Sequence, residues 1–251
     1  MIYSSNNPKI KNILKLKDIK NIKKQQKYLV EGLHLLEEAV NSNVVETIIK
    51  SANFDKSIPF DISKFEVLTV DKKTIKSLAS TITSPEIFAV CKIEKKLLDI
   101  SKYNNIIILD RIQDPGNLGT IIRTADAFSF DAVILSQGTT NIYSPKVIRS
   151  MQGSNFHIDF FDNVDLNNFL NTIQDFDILA TSLDTEESLE NIKSLKSKCA
   201  IILGNEANGV SNEILEKVNR KVKITMPGQA ESLNVSIAAA IMMHYIKTIL
   251  K

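Results

Sequence analysis

The 251-residue chain is poor in the residues that staple small proteins or hold metals. Its two cysteines, Cys91 and Cys199, lie far apart, each inside an apolar run. That placement fits two buried, reduced thiols in a cytosolic protein, with a single disulfide as the alternative. The three histidines, His34, His157 and His244, share no metal-ligand spacing with one another or with the cysteines, so no metal site is expected. No apolar stretch approaches the roughly 20 residues that a membrane helix needs, and the Lys- and Asn-rich N-terminal residues form no signal-type apolar core. A formal net charge of +2 excludes a uniformly basic surface. Any affinity for nucleic acid must come from local patches. There is no internal repeat and no extended low-complexity segment.

What is present is an ordinary globular composition, 43% hydrophobic and 24% charged, in a length that suits one large domain or two smaller ones. The opening thirty residues concentrate Lys9, Lys11, Lys15, Lys17, Lys20, Lys23, Lys24 and Lys27 against Asp18 alone. Ile10, Ile13, Leu14 and Leu16 supply a partial helical stripe between them. "YLVEG" reads as a strand ending in a turn, and "LHLLEEAV" as a helix with Leu33, Leu36, Ala39 and Val40 on one face. "VVETIIK", "FEVLTV" and "EIFAVCKI" read as strands rich in β-branched residues. Residues 1–95 are therefore expected to form a small α/β domain. The charged, poorly patterned stretch 96–103 is the expected linker, and 104–251 the second domain. In that second part, "NNIIILD", "DAVILS", "FDILATSL", "CAIILG" and "KVKITM" are short apolar runs separated by helical segments, the pattern of a parallel sheet covered on both faces.

Three polar loops follow the expected strand ends. In "LDRIQDPGNLGTIIRTADAF", a Pro- and Gly-rich turn feeds a helix whose buried stripe is Leu118, Ile121, Ile122, Ala125 and Phe128. Arg123 faces away with Thr120 and Ala127. Such a helix start can bind anions. It can equally be a tight turn with Asn117 as N-cap and Arg123 in solvent. It lacks the Gly-Lys-Ser/Thr ending of a P-loop and the dinucleotide GxGxxG. In "AIILGNEANGVS", Glu206 sits among residues that tolerate left-handed backbone, so a turn or a ligand loop both fit. In "KVKITMPGQAESLNVSIAAAI", a strand ending at Met226 meets a loop and then a helix starting near Ser232. Val235, Ala238, Ala239, Met242, Tyr245, Ile246 and Ile249 form the expected buried face of that helix. Ser232 as N-cap explains one polar residue there and leaves its neighbours unexplained. Ligands of open α/β sheets bind beyond the C-terminal ends of strands, and three polar loops converging there favour a site.

"DPGNLGTIIRTADAF", "ILGNEANGVS" and "ITMPGQAESLNVSIAAAI" resemble, in order and spacing, the three motifs of the SpoU/TrmH family of RNA 2′-O-ribose methyltransferases of the SPOUT superfamily. "NPKIKNILKLK" and "KYLVEGLHLLEEA" are similar to the L30e-like substrate-binding domain of one branch. The resemblance implies a C-terminal α/β knot, a parallel sheet with a deep trefoil knot. It implies S-adenosylmethionine as methyl donor, a homodimer that builds the active site, and an RNA substrate, rRNA ahead of tRNA. A non-catalytic RNA-binding or ribosome-assembly protein is the reading from another class. Carried onto this chain, the implied catalytic residues are Arg123, Asn117, Glu206, Ser232 and Asn234. The implied cofactor-binding residues are Thr181, Leu203, Gly204, Ile224, Met226 and Leu233. Arg123 would act as a base or as a phosphate-orienting group, and the N-terminal lysines would grip RNA phosphates.

Overall fold

The structure is a computed structural model that describes residues 2–80 and 83–250. It divides into two compact units: residues up to Lys95 together with Asn141–Phe156, and Lys96–Thr140 with His157 onward.

The first unit contains β1 (Ile2–Tyr3), α1 (Pro8–Leu14), α2 (Ile19–Gln25), β2 (Lys27–Glu31), α3 (Leu33–Asn41), β3 (Val45–Ser51), β4 (Glu66–Val70), α4 (Lys72–Leu78) and β5 (Ile87–Lys92). Its five-stranded sheet has the order β1-β4-β3-β5-β2, parallel at β1/β4 and β4/β3 and antiparallel at β3/β5 and β5/β2. Side-chain caps punctuate the Lys-rich segment. Asn7 caps α1 ahead of Pro8, and Asp18 accepts from the Lys20 amide to start α2. The stripe Ile10, Ile13 and Leu16 is buried against Leu29, Ile49, Leu68 and Phe88 of the sheet. The lysines consequently point outward. On α3 the buried positions are Leu35, Leu36 and Ala39, while Leu33 and Val40 are half-buried.

The second unit contains β6 (Asn105–Asp110), α5 (Pro115–Ala127) and β7 (Ala132–Ser136). The chain then contributes α6 (Pro145–Met151) to the first unit and returns through β8 (Asp159–Val164), α7 (Leu166–Leu170), β9 (Asp177–Thr181), β10 (Cys199–Gly204), α8 (Asn212–Leu215), β11 (Arg220–Val222) and α9 (Val235–Ile249). Its six strands are all parallel, in the order β11-β9-β10-β6-β7-β8. Alternate residues divide between two apolar layers. Ile106, Ile108, Ile178, Ala200 and Ile202 meet Phe169, Leu170 and Ile214 of α7 and α8. Between them, Ile107, Leu109, Leu179, Ile201 and Leu203 are fully buried on the opposite face. There α5 packs against α9, which also packs on β10. Cys91 and Cys199 are buried free thiols. No helix among the described residues is long and apolar enough to cross a membrane.

Several boundaries differ from the sequence expectation. The strand expected to end at Met226 stops at Val222, with one further bridge at Lys223, because its partner β9 stops at Thr181. The last helix starts at Val235 and is capped by Asn234, not Ser232. The helix of the first motif is capped by Asp114, not Asn117, with Pro115 opening its first turn. Phe128 lies just past that helix and is half-buried. β8 carries only Phe160, Phe161 and Val164 as apolar residues, too short a run for the sequence reading to pick out. It is an edge strand bearing Asp159, Asp162 and Asn163.

Candidate active site

The three polar loops meet at the C-terminal edge of the parallel sheet. The β10–α8 loop folds back sharply, with Asn205 and Gly209 exchanging main-chain bonds of 3.1 and 2.8 Å. A Cβ at Gly204 would lie 2.0 Å from the Gly209 carbonyl carbon and the Val210 nitrogen, so only glycine fits under this loop. The loop is tied to the first motif at several points. Asn205 Nδ2 donates to the Arg111 carbonyl at 2.9 Å, and the Ser211 amide donates to buried Asp110 at 2.9 Å.

Glu206 makes the tightest of these ties. One carboxylate oxygen accepts from the Asp114 amide at 3.0 Å and from Asn117 Nδ2 at 3.1 Å; the other accepts from the Gln113 amide at 3.1 Å. Burial works against the charged form of Glu206. The Asn117 amide and the two main-chain N–H groups outweigh it, so the carboxyl lies below the usual glutamate range. Asn117 Oδ1 in turn accepts from Asn234 Nδ2 at 3.0 Å. Asn234 Oδ1 accepts from the Ser236 amide at 2.9 Å and from its hydroxyl at 2.6 Å, which caps α9. The orientation of both amides is thereby fixed. A carboxylate only accepts, so Asn117 presents its nitrogen to Glu206 and its oxygen to Asn234; helix N–H groups only donate, so Asn234 presents them its oxygen.

Beside this network runs a cleft of about 800 Å³. Thr181, Leu203, Gly204, Ile224, Met226 and Leu233 all line it, as do Glu206, Ser232 and Asn234. Ile224 and Met226 continue the sheet-edge strand beyond its ladder, and Leu233 precedes the last helix. With the described residues, the main-chain groups of all three make no hydrogen bond. Unpaired main-chain donors and acceptors beside apolar Leu203, Val235 and Ala238 suit a ligand that combines a heteroaromatic base with polar groups. S-adenosylmethionine has that chemistry, and these residues fit it. Arg123 lies apart from the cleft lining. It is exposed on α5 with Thr120 and Ala127, and its guanidinium bonds to no described side chain. Among the described residues, no group of three or more His, Cys, Asp or Glu could hold a metal.

Sequence reasoning misses Asn205, Gln113 and Asp114. The Asp-Pro pair is the available signal for Asp114, because Asp at the cap and Pro at the first helical position are a recognised helix start.

The parallel sheet, the cleft beyond its strand ends and the three interlocked loops define an α/β protein with a ligand site built at a sheet edge. Residues 104–244 match the SpoU rRNA methylase family and residues 7–89 match the MRM3-like substrate binding domain. The chain belongs to the SpoU rRNA methylase family and is an S-adenosylmethionine-dependent RNA 2′-O-methyltransferase. It is 36% identical, over 98% of both chains, to the 23S rRNA (guanosine(2553)-2′-O)-methyltransferase RlmP of Bacillus subtilis. An AdoMet-bound rRNA methyltransferase from Sinorhizobium meliloti superposes with a TM-score of 0.86 at 25% identity, covering 100% of this chain and 99% of that one. A structure described by the 2-OH methylation of C/U34 on tRNA superposes with a TM-score of 0.52 at 26% identity, covering 58% of this chain and 95% of its own.

Proposed function

We propose that the substrate is 23S rRNA and that the target is the ribose of a guanosine equivalent to the one named for the Bacillus subtilis relative. The observation that carries this reading is full-length similarity to rRNA enzymes, N-terminal unit included. The tRNA-directed neighbour, by contrast, matches little more than half of the chain. Along the chain the regions we assign are 1–95 to RNA binding and 104–251 to catalysis, in line with the two matched regions, except that Asn141–Phe156 is part of the first unit.

When bound, S-adenosylmethionine supplies the electrophilic methyl group that a ribose 2′-oxygen takes. Thr181, Leu203, Gly204, Ile224, Met226 and Leu233 would hold it, all of them lining one cleft. Ser232 Oγ would accept the hydrogen bond of the incoming hydroxyl and orient its oxygen; placement of this kind supplies much of a barrier reduction. Glu206 would not take the proton, because both its oxygens are committed to the first motif. Its work is to fix Asn117, and through it Asn234. A guanidinium is a poor proton acceptor and a good two-pronged anion grip, so Arg123 would hold an RNA phosphate and set the ribose.

The homodimer belongs to the same reading. Ile237 and Ile241, one turn apart on α9, are 51% and 37% exposed, an apolar strip that a second copy would cover. The trefoil knot does too. The C-terminal segment is held at its start through Asn234 and Asn117, and near its end by Tyr245 on the 190–192 segment, as expected of a threaded helix. Buried free thiols accord with a cytoplasmic location.

Ribose-methylation mapping of rRNA and tRNA, from cells with and without the gene, tests the proposal. Loss of one guanosine 2′-O-methyl in 23S rRNA is expected. Loss in tRNA alone would keep the chemistry and overturn the substrate.

A further inference from the structure

The cofactor-facing run Lys221–Met226 raises a mechanical question. It lines the cleft, yet its strand ends at Val222, and the main-chain groups of Ile224 and Met226 bond to nothing described. Something must hold these groups in a fixed direction if they are to receive a ligand.

The segment after β9 does so. Thr185 Oγ1 donates to the Lys221 carbonyl at 3.0 Å, the Lys223 amide donates to the Glu187 carbonyl at 2.9 Å, and the Leu189 amide donates to the Lys223 carbonyl at 2.8 Å. The main-chain ladder ends there. The next rung is made by a side chain: Thr225 Oγ1 donates to Glu190 Oε2 at 3.0 Å. Glu190 also has an anchor on the other side. Its carbonyl accepts from the Tyr245 hydroxyl of α9 at 2.9 Å, and the Ile192 carbonyl shares that hydroxyl at 3.2 Å. Leu189 and Ile192, each 1% exposed, root the segment in the core. The Glu190 carboxyl is held below its usual range, chiefly by its own main-chain N–H, against burial, and further by the Thr225 and Ser188 hydroxyls and the Thr225 main-chain N–H.

We propose that Glu190 is a positioning residue: it pins Thr225 between Ile224 and Met226 and so presents their main-chain groups to S-adenosylmethionine. This rests on the assignment of Ile224 and Met226 to the cofactor. The thermodynamic consequence is specific. Loss of the rung leaves the catalytic loops joined by Glu206 and Asn117 untouched, so it weakens cofactor binding and spares the turnover of the loaded enzyme.

The test uses full-length Glu190→Ala, Thr225→Val and Thr225→Ser, all at exposed positions. Calorimetry gives the S-adenosylmethionine Kd, and amide hydrogen exchange follows residues 222–228 with and without the cofactor. Glu190→Ala is expected to raise Kd about three- to tenfold, the worth of one lost hydrogen bond, and Thr225→Val to raise it by somewhat less, since its main-chain N–H still faces Glu190. Turnover at saturating cofactor should stay near wild type. Thr225→Ser keeps the hydroxyl and should bind within about twofold of wild type. If wild-type residues 222–228 gain protection on binding while both loss variants keep the wild-type Kd, Glu190 has no such role and the cofactor assignment survives. If the wild type binds S-adenosylmethionine without protecting 222–228, the assignment of Ile224 and Met226 falls, and this proposal with it.

Discussion

Asn117 and Asn234, on helix starts more than a hundred residues apart, meet side chain to side chain at 3.0 Å, with Asn234 donating. The same Asn234 caps α9 through its oxygen. The two roles can be separated by Asn234→Asp. Aspartate caps as well as asparagine, but it cannot donate to the Asn117 oxygen, and it sets a second carboxylate near Glu206. The expected result is a melting temperature close to wild type with turnover down tenfold or more. Asn234→Ala removes both functions and should also lose about 0.5–2 kcal/mol of stability. Thermal melts run beside methyl-transfer assays distinguish the two. Full activity in Asn234→Asp would show the bridge to be dispensable.

Arg123 makes the opposite prediction. It is exposed and bonds to no described side chain, so its removal should cost no stability. Arg123→Ala should abolish methyl transfer and leave S-adenosylmethionine affinity near wild type, because Arg123 does not line the cleft. Arg123→Lys restores the charge without the two-pronged geometry and should recover little. Normal turnover in Arg123→Ala would remove it from the mechanism.

Much of the catalytic unit is legible in the sequence, for physical reasons. Strands such as Ile106–Leu109 and Ala200–Leu203 are buried on both faces, so they read as unbroken apolar runs. The stripe Leu118, Ile121, Ile122 and Ala125 follows helical spacing, and all four are buried. What escapes are features decided by neighbours distant in sequence. Nothing local to Arg220–Met226 says that β9 will run out at Thr181 and end the pairing. Nothing in the segment Asn141–Phe156 says that it leaves the parallel sheet to pack with the first unit, where Tyr143 lies 4.9 Å from Tyr28, ring to ring. The motif resemblance gathers Asn117, Glu206 and Asn234 as one set. The structure adds the direction of every bond among them.

The eight N-terminal lysines are not equivalent. Lys9 pairs with Glu66, Lys27 with Glu46, and Lys17 donates to the Ser77 and Ala79 carbonyls at 3.0 and 3.1 Å. Lys11, Lys15, Lys20, Lys23 and Lys24 are exposed on α1 and α2 and the turn between them, without a described side-chain partner. If this face grips phosphates, replacing those five with alanine should weaken RNA binding at low salt. It should also flatten the dependence of log Kd on log salt by roughly 0.7–0.9 for each phosphate no longer neutralised. Lys9→Ala is the control and should leave the slope nearly unchanged. Filter binding to a 23S rRNA fragment across a salt series measures both. An unaltered slope in the five-fold variant would place the RNA elsewhere.

The last prediction concerns pH. Glu206 holds the first motif only as a carboxylate, since a protonated acid would set a donor against donors. Its folded pKa is depressed below the unfolded value. The contribution of this clasp to stability is therefore fully present above the unfolded value and is lost as pH falls through the folded one. Across neutral pH the clasp should be constant, and it should let go only below the ordinary glutamate range. Glu206→Gln keeps the shape, but turns an amide nitrogen toward one of the main-chain donors at every pH. Thermal melts of both proteins, from neutral pH down through the carboxylate range, should then show two things. The variant is destabilised at neutral pH, and the gap narrows as acid protonates Glu206 in the wild type. A gap that stayed constant to the lowest pH at which both fold would mean that the charge of Glu206 contributes nothing, and that the loop is held by Asn205 and Asp110 alone.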